Sequence, residues 1–214
     1  MHPGVHVYKT EIVKQRIAFF DFDGTITTKD TLLEFIRFGR GKIRFAVGFL
    51  LNTPWLVAMK LKLISNQAAK QRVLSYFFGK RSLASFSRQC DEFAREVLPH
   101  LIRPKALAEI HRLKETGATV VIVSASPENW ITLWAEQTGA DLIATRLGVF
   151  TDEKGETRLT GRIEGANCYG EEKVNRIHQR FVLPDYTEIY TYGDTSGDKP
   201  MLRLGTASFF KPFR

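Results

Sequence analysis

The sequence predicts an α/β protein: a parallel sheet with helices on both faces and an all-helical segment inserted behind its first strand. Three observations carry that prediction. Apolar, β-branched or aromatic runs alternate with helical patterns from Thr119 onward. The chain between the first such run and Thr119 shows only helical periodicity. Polar residues of one chemical kind collect where three of the runs end, as expected when loops converge at the carboxyl edge of a parallel sheet.

Taken in order, "RIAFFDFD" is the first strand, and the pattern then turns helical in "DTLLEFIRF". Similar helical segments continue to about Leu101. Next come "ATVVIVSAS", "ADLIATRLGVF" and "EIYTYGDTSGD" as strands, separated by the helical patterns "PKALAEIHRLKET", "NWITLWAEQTG" and "GEEKVNRIHQRF". Strands alternating with helices indicate a parallel sheet buried on both sides. The domain expectation is a core of residues 1–27 and 103–214 with an insertion at 28–102.

With 214 residues, 43% of them hydrophobic, the chain can bury a substantial core, which excludes a disordered class. Cys90 and Cys168 are far apart and lack metal-ligand spacing, which suggests neither a disulfide framework nor a zinc site and fits a reducing, cytoplasmic setting. The start, "MHPGVHVYKTEIVKQ", has no apolar core of a signal peptide. The net charge of +8 is unevenly placed: residues 35–89 hold eleven basic side chains and no Asp or Glu. No nucleic-acid module accompanies this charge, so nucleic acid is not expected as a partner; steering of an anionic substrate accounts for it.

The strand ends carry the chemistry. Asp21 and Asp23 close the first strand and are followed by Gly24 and Thr25; Ser124 closes the second, and Asp194 and Asp198 follow "IYTYG". Singly, each is a common helix cap or turn residue. Together with Lys173 in "YGEEKV", they resemble the four motifs of the haloacid dehalogenase superfamily: "DFDGT", "VVIVSAS", the lysine and "GDTSGD". The helical insertion directly after the first motif is similar to the C1 cap of subfamily IB, which includes the phosphoserine phosphatases.

The resemblance implies a Rossmann-like core and a phosphatase acting through an aspartyl-phosphate. Asp21 is the expected nucleophile and Asp23 the general acid and base. Ser124, the amide of Ala125, Lys173, Gly24 and Thr25 are expected around the phosphoryl group. A carboxylate approaching a phosphate dianion is repelled, and Mg²⁺ is the expected cofactor, held by Asp21, Asp194, the backbone carbonyl of Asp23 and, further out, Asp198. The second Asp favours phosphate esters over halides, because an alkoxide leaving group needs a proton and a halide does not.

Two substrate classes follow. Arg72, in "KQRVLSYF", resembles the cap arginine that grips a substrate carboxylate in phosphoserine phosphatases, which favours a small phosphate such as phosphoserine or histidinol phosphate. Asp30, the matching cap position, stands where those enzymes usually have Glu, and Ala125 and Ser126 where they have Gly-Gly, departures that weaken this reading. Against it, residues 43–64, "IRFAVGFLLNTPWLVAMKLKLI", are apolar, interrupted by Pro54 and flanked by basic residues, a layout similar to bacterial phosphatidylglycerophosphate phosphatases of the C type. The uncharged run is too short for a transmembrane helix, leaving a buried helix pair or an interfacial element in peripheral contact with an anionic membrane. The leading expectation is a lipid phosphate hydrolysed at the inner face of the membrane; oligomeric state is not legible.

Overall fold

The computed structural model describes residues 15–214. The expectation about a signal peptide at the N-terminus lies outside the described residues. Six strands form one sheet in the order β4-β3-β2-β1-β5-β6. They are β1 (Arg16–Phe20), β2 (Thr119–Pro127), β3 (Asp141–Thr151), β4 (Thr157–Glu164), β5 (Glu188–Gly193) and β6 (Ala207–Phe210).

β1 lies at the centre, parallel to both β2 and β5. Its residues Ile17 to Phe20 are completely buried because both sheet faces are covered. Side chains alternate between two core layers: Ala18 and Phe20 enter one, Ile17 and Phe19 the other. Phe20 stacks on Tyr192 at 4.1 Å and Phe19 meets Phe181 edge-on at 5.8 Å. Four α-helices occupy the chain between β1 and β2: α1 (Thr31–Lys60), α2 (Asn66–Phe78), α3 (Leu83–Glu96) and α4 (Pro104–Glu115). Three more, α5 (Thr132–Thr138), α6 (Glu171–Arg180) and α7 (Lys199–Leu202), connect the later strands.

The sheet departs from the all-parallel expectation at one edge. β4 runs antiparallel to β3, and sequence reading missed it, as it missed the short β6. The signal in β4 was present: Leu159, Gly161 and Ile163 alternate with exposed residues. Its function is to hold α2. Gln67 bonds Gly165 and Asn167, Gln71 accepts from the Ile163 amide, and Ser75 donates to the Gly161 carbonyl. A side chain at Gly161 would meet the Ser75 Cα at 2.6 Å, so the glycine permits this close seating.

The helix α1 bends at Gly41, whose φ of 73° and ψ of 166° suit glycine alone. Its first half is buried through Phe35, which stacks on Trp130 at 4.6 Å and touches Phe78, Phe86 and Phe93. No helix among the described residues is long and apolar enough to cross a membrane.

Candidate active site

Where β1 stops, Asp21 keeps an extended backbone and donates its amide to the Tyr192 carbonyl at 2.9 Å, the last rung tying β1 to β5. The chain then coils through residues 22–26, with Gly24 at φ 80°. A Cβ there would lie 2.5 Å from Asp194 Oδ2, so only glycine lets this turn approach the end of β5. Phe22 points into the core against Trp134, leaving Asp21 and Asp23 on the cleft side.

The two carboxylates have different surroundings. Asp21 is buried; its Oδ1 accepts from Lys173 Nζ at 2.6 Å and its Oδ2 from the Thr25 hydroxyl at 2.9 Å. Asp23 takes the Thr31 amide at the start of α1 on Oδ1 at 2.6 Å, and the Ser126 hydroxyl on Oδ2 at 2.6 Å. Helix α6 projects Lys173 from its first turn, fully buried, where it also reaches Asp198 Oδ1 at 2.7 Å. The other Asp198 oxygen accepts from the amides of Asp194 and Thr195 and from the Thr195 hydroxyl. Asp194 accepts from Thr25 at 3.4 Å and pairs with Arg214.

Asp21, Asp194 and Asp198 thus bring carboxylate oxygens within 4.8 Å of one another, all buried. Burial, assisted by Asp198, pushes the Asp21 carboxyl up to about 7 even against Lys173. Burial and Asp198 likewise raise Asp194. Lys173 is disfavoured by burial, but Asp21 and Asp198 outweigh that and hold it above the usual lysine range. For Asp198 burial is also outweighed, by Lys173 and the Thr195 bonds, so its carboxyl is lowered. Three buried carboxylates are offset here by one lysine and one partly exposed arginine. This hard-oxygen, negatively charged donor set fits a divalent cation such as Mg²⁺.

Each residue named from sequence can now be placed. Asp21, Asp23, Gly24, Lys173, Asp194 and Asp198 line one cleft of about 480 Å³, together with Asp30 and Ala125. Thr25 lies beneath it, buried between Asp21 and Asp194. Ser124 is fully buried, with its hydroxyl accepting the Ser126 amide at 3.0 Å, and the Ser126 side chain lines the cleft at this strand end. Arg72 is exposed, outside the cleft lining, with its guanidinium 4.7 Å over the Trp55 ring. The cleft cation on α2 is Lys70, which bonds the Ala125 carbonyl and, at 3.2 Å, Asn167 Oδ1. Two residues along a helix are about 200° apart, so Lys70 and Arg72 necessarily face opposite ways. Asp30 caps α1 through the Leu33 amide at 3.1 Å while lining the cleft.

Sequence reading also missed Asn66, Asn167 and Thr145, which join Lys70 in one network. The only signal was helical spacing: Asn66, Ala69, Lys70 and Val73 share one face of α2 and all line the cleft.

The geometry is that of a phosphoryl-transfer site at the carboxyl edge of a doubly covered sheet. The sequence model of the haloacid dehalogenase-like hydrolases matches residues 18–203, and the chain belongs to that family. Protein CicA of Caulobacter vibrioides is 36% identical over 199 residues, spanning 92% of this chain and 86% of the relative. A probable phosphatase of Mycobacterium tuberculosis is 31% identical over 209 residues, spanning 92% and 69% respectively. In structure, a phospho-aspartyl intermediate analogue of phosphoserine phosphatase superposes with a TM-score of 0.60 at 20% identity, covering 94% of this chain and 95% of that one. Within the family this chain is a phosphatase.

Proposed function

We propose that the protein is a Mg²⁺-dependent phosphomonoesterase that works through an aspartyl-phosphate on Asp21 and acts on a lipid phosphate such as phosphatidylglycerophosphate, with residues 28–102 as its cap. The observation carrying the substrate reading is the cleft's polarity. Its lining combines the charged Asp21, Asp23, Lys173 and Asp194, the polar or cationic Lys70, Asn66 and Asn167, and the apolar Leu32, Leu33, Phe49, Leu56, Met59 and Val73. A phosphate head with a polar linker and an apolar chain matches that combination. The basic segment 35–89 adds attraction to an anionic membrane, where such a substrate resides.

In the first step an Asp21 oxygen bonds to phosphorus as the ester oxygen leaves, and Asp23 gives that oxygen its proton. In the second, Asp23 takes a proton from water, the water oxygen bonds to phosphorus, and the Asp21–phosphorus bond breaks. Asp21, the Asp23 carbonyl and Asp194 would hold Mg²⁺, with Asp198 behind them; when bound it supplies the charge that lets two anions approach. Lys173 orients Asp21 at 2.6 Å, and Thr25 fixes the other oxygen. The Ser126 hydroxyl and the Thr31 amide orient Asp23. The Ala125 amide, Gly24 and Lys173 surround the phosphoryl position.

A phosphate-release screen tests this, comparing phosphatidylglycerophosphate in mixed micelles with phosphoserine, histidinol phosphate and sugar phosphates. Preference for the lipid by at least about tenfold in kcat/KM is expected. A preference for phosphoserine or histidinol phosphate would overturn the lipid reading and leave the phosphatase intact.

A further inference from the structure

The second half of α1, residues 42–60, is attached differently from α2, which lines the cleft beside it. Ahead of it, the Arg40 guanidinium is tied to the Phe77 carbonyl of α2. Gly41 follows at φ 73° with nothing within 4 Å of where its Cβ would be. Beyond Gly41, the polar side-chain bonds of Asn52 and Thr53 return to their own helix. Among the described residues, the polar side-chain link from 42–60 to another element is a 3.8 Å contact between the Asn66 amide and the Met59 sulfur. What holds the segment is apolar and cation–π contact: Phe49 against Phe77, Arg37 over Phe45 and Arg72 over Trp55. Helix α2, by contrast, is stitched to β4 and the chain after it by Asn66, Gln67, Lys70, Gln71 and Ser75. A wall that moves would therefore break at 42–60, not at α2.

The faces of this segment point the same way. Its inner face supplies Phe49, Leu56 and Met59 to the cleft. Its outer face exposes Ile43 (81%), Leu50 (73%) and Leu51 (59%), with Val47 and Val57 on the same side. At about 100° per residue these fall within roughly a third of the helix circumference, a continuous apolar stripe. Exposed Arg44 flanks one side of the stripe and Lys42 and Lys60 the other. An apolar stripe edged by cations, in a segment without acidic residues, is complementary to an anionic lipid surface.

We propose that residues 42–60 are a lid, hinged at Gly41, that docks on anionic bilayers through this stripe, and that docking draws the lid off the cleft and activates the enzyme. The proposal rests on the lipid reading for its biological sense, but its test does not require a lipid substrate. Hydrolysis of p-nitrophenyl phosphate is measured with and without vesicles of phosphatidylglycerol, a diester that a phosphomonoesterase leaves intact. Phosphatidylglycerol vesicles should raise kcat/KM about fivefold or more. Vesicles of phosphatidylcholine, or high salt, should not. Leu50→Ser with Leu51→Ser should lower vesicle binding at least about tenfold, with the lipid-free rate unchanged because both side chains face outward. Gly41→Ala strains the closed bend, so it should raise the lipid-free rate and shrink the stimulation.

Binding to vesicles without stimulation would overturn the lid. Absence of binding at low salt would overturn the docking surface. A dimer in lipid-free buffer that Leu50→Ser with Leu51→Ser dissolves would assign the stripe to a second copy and overturn the membrane assignment. Stimulation by phosphatidylglycerol with no hydrolysis of any lipid phosphate would support the lid while removing the proposed substrate.

Discussion

Replacing Lys173 by Met probes how the site holds its charge. The Nζ atom lies 2.6 Å from Asp21 and 2.7 Å from Asp198, and the side chains are only 1%, 9% and 3% exposed. Methionine fills nearly the same volume, so packing changes little; the loss is electrostatic. Two buried carboxylates are left facing each other without their cation, a situation that costs about 3–5 kcal/mol. With a urea dependence of about 2.5 kcal/mol per molar for a chain of this size, the unfolding midpoint should fall by about 1.5 M in the presence of chelator. Added Mg²⁺ should restore more stability to the variant than to the parent protein, since metal and lysine offset the same carboxylates. Arg203→Met is the control, because the Arg203–Glu171 pair spans 3.4 Å but is over 70% exposed on both sides. It should cost below about 1 kcal/mol. A midpoint shift for Lys173→Met no larger than that of Arg203→Met would refute the reasoning, for it would mean that burial does not magnify the pair.

Four further outcomes are expected. Asp21→Asn should abolish turnover, whereas Asp23→Asn should still trap phosphate on Asp21 from an ester with a good leaving group, read by rapid-quench labelling; label elsewhere removes the assignment. Asp194→Ala should raise the Mg²⁺ concentration needed for half-maximal activity by at least about tenfold, followed by metal titration. Gly24→Ala should cost about 1–2 kcal/mol of stability from the φ of 80° alone and should cut activity further by pushing Asp194 away, measured by unfolding and steady-state rates. Burial holds the Lys70 ammonium down to about 8, so between there and its ordinary value near 10.5 the unfolded chain binds a proton that the folded chain does not. Folded stability relative to Lys70→Met should therefore improve as pH rises from 8 to 10; a flat difference in parallel melts would contradict it.

Much of the catalytic core was legible without coordinates because it depends on local order. A strand of four buried residues ending in Asp-Phe-Asp-Gly-Thr leaves little choice: alternation sends Phe22 to the core, and Gly24 must turn where β5 comes close. The strand–helix alternation likewise determined that Asp21, Ala125, Lys173 and Asp194 would meet, because parallel strands deliver their loops to one edge. What the chain could not disclose is which face of an inserted helix looks inward. Lys70 and Arg72 lie two positions apart on α2 with the same charge, and only the docking of α2 along the antiparallel β4 turns Lys70 to the cleft and Arg72 to Trp55. Ser124 and Ser126 present the same ambiguity at a strand end, decided by the irregularity between β2 and β3 after Ser124. For residues 43–64, composition allowed a buried pair or an interface. The tertiary structure placed Phe49 and Leu56 inward and Leu50 and Leu51 outward, because one face of an apolar helix suffices to cover α2 and nothing else in the described chain reaches the other.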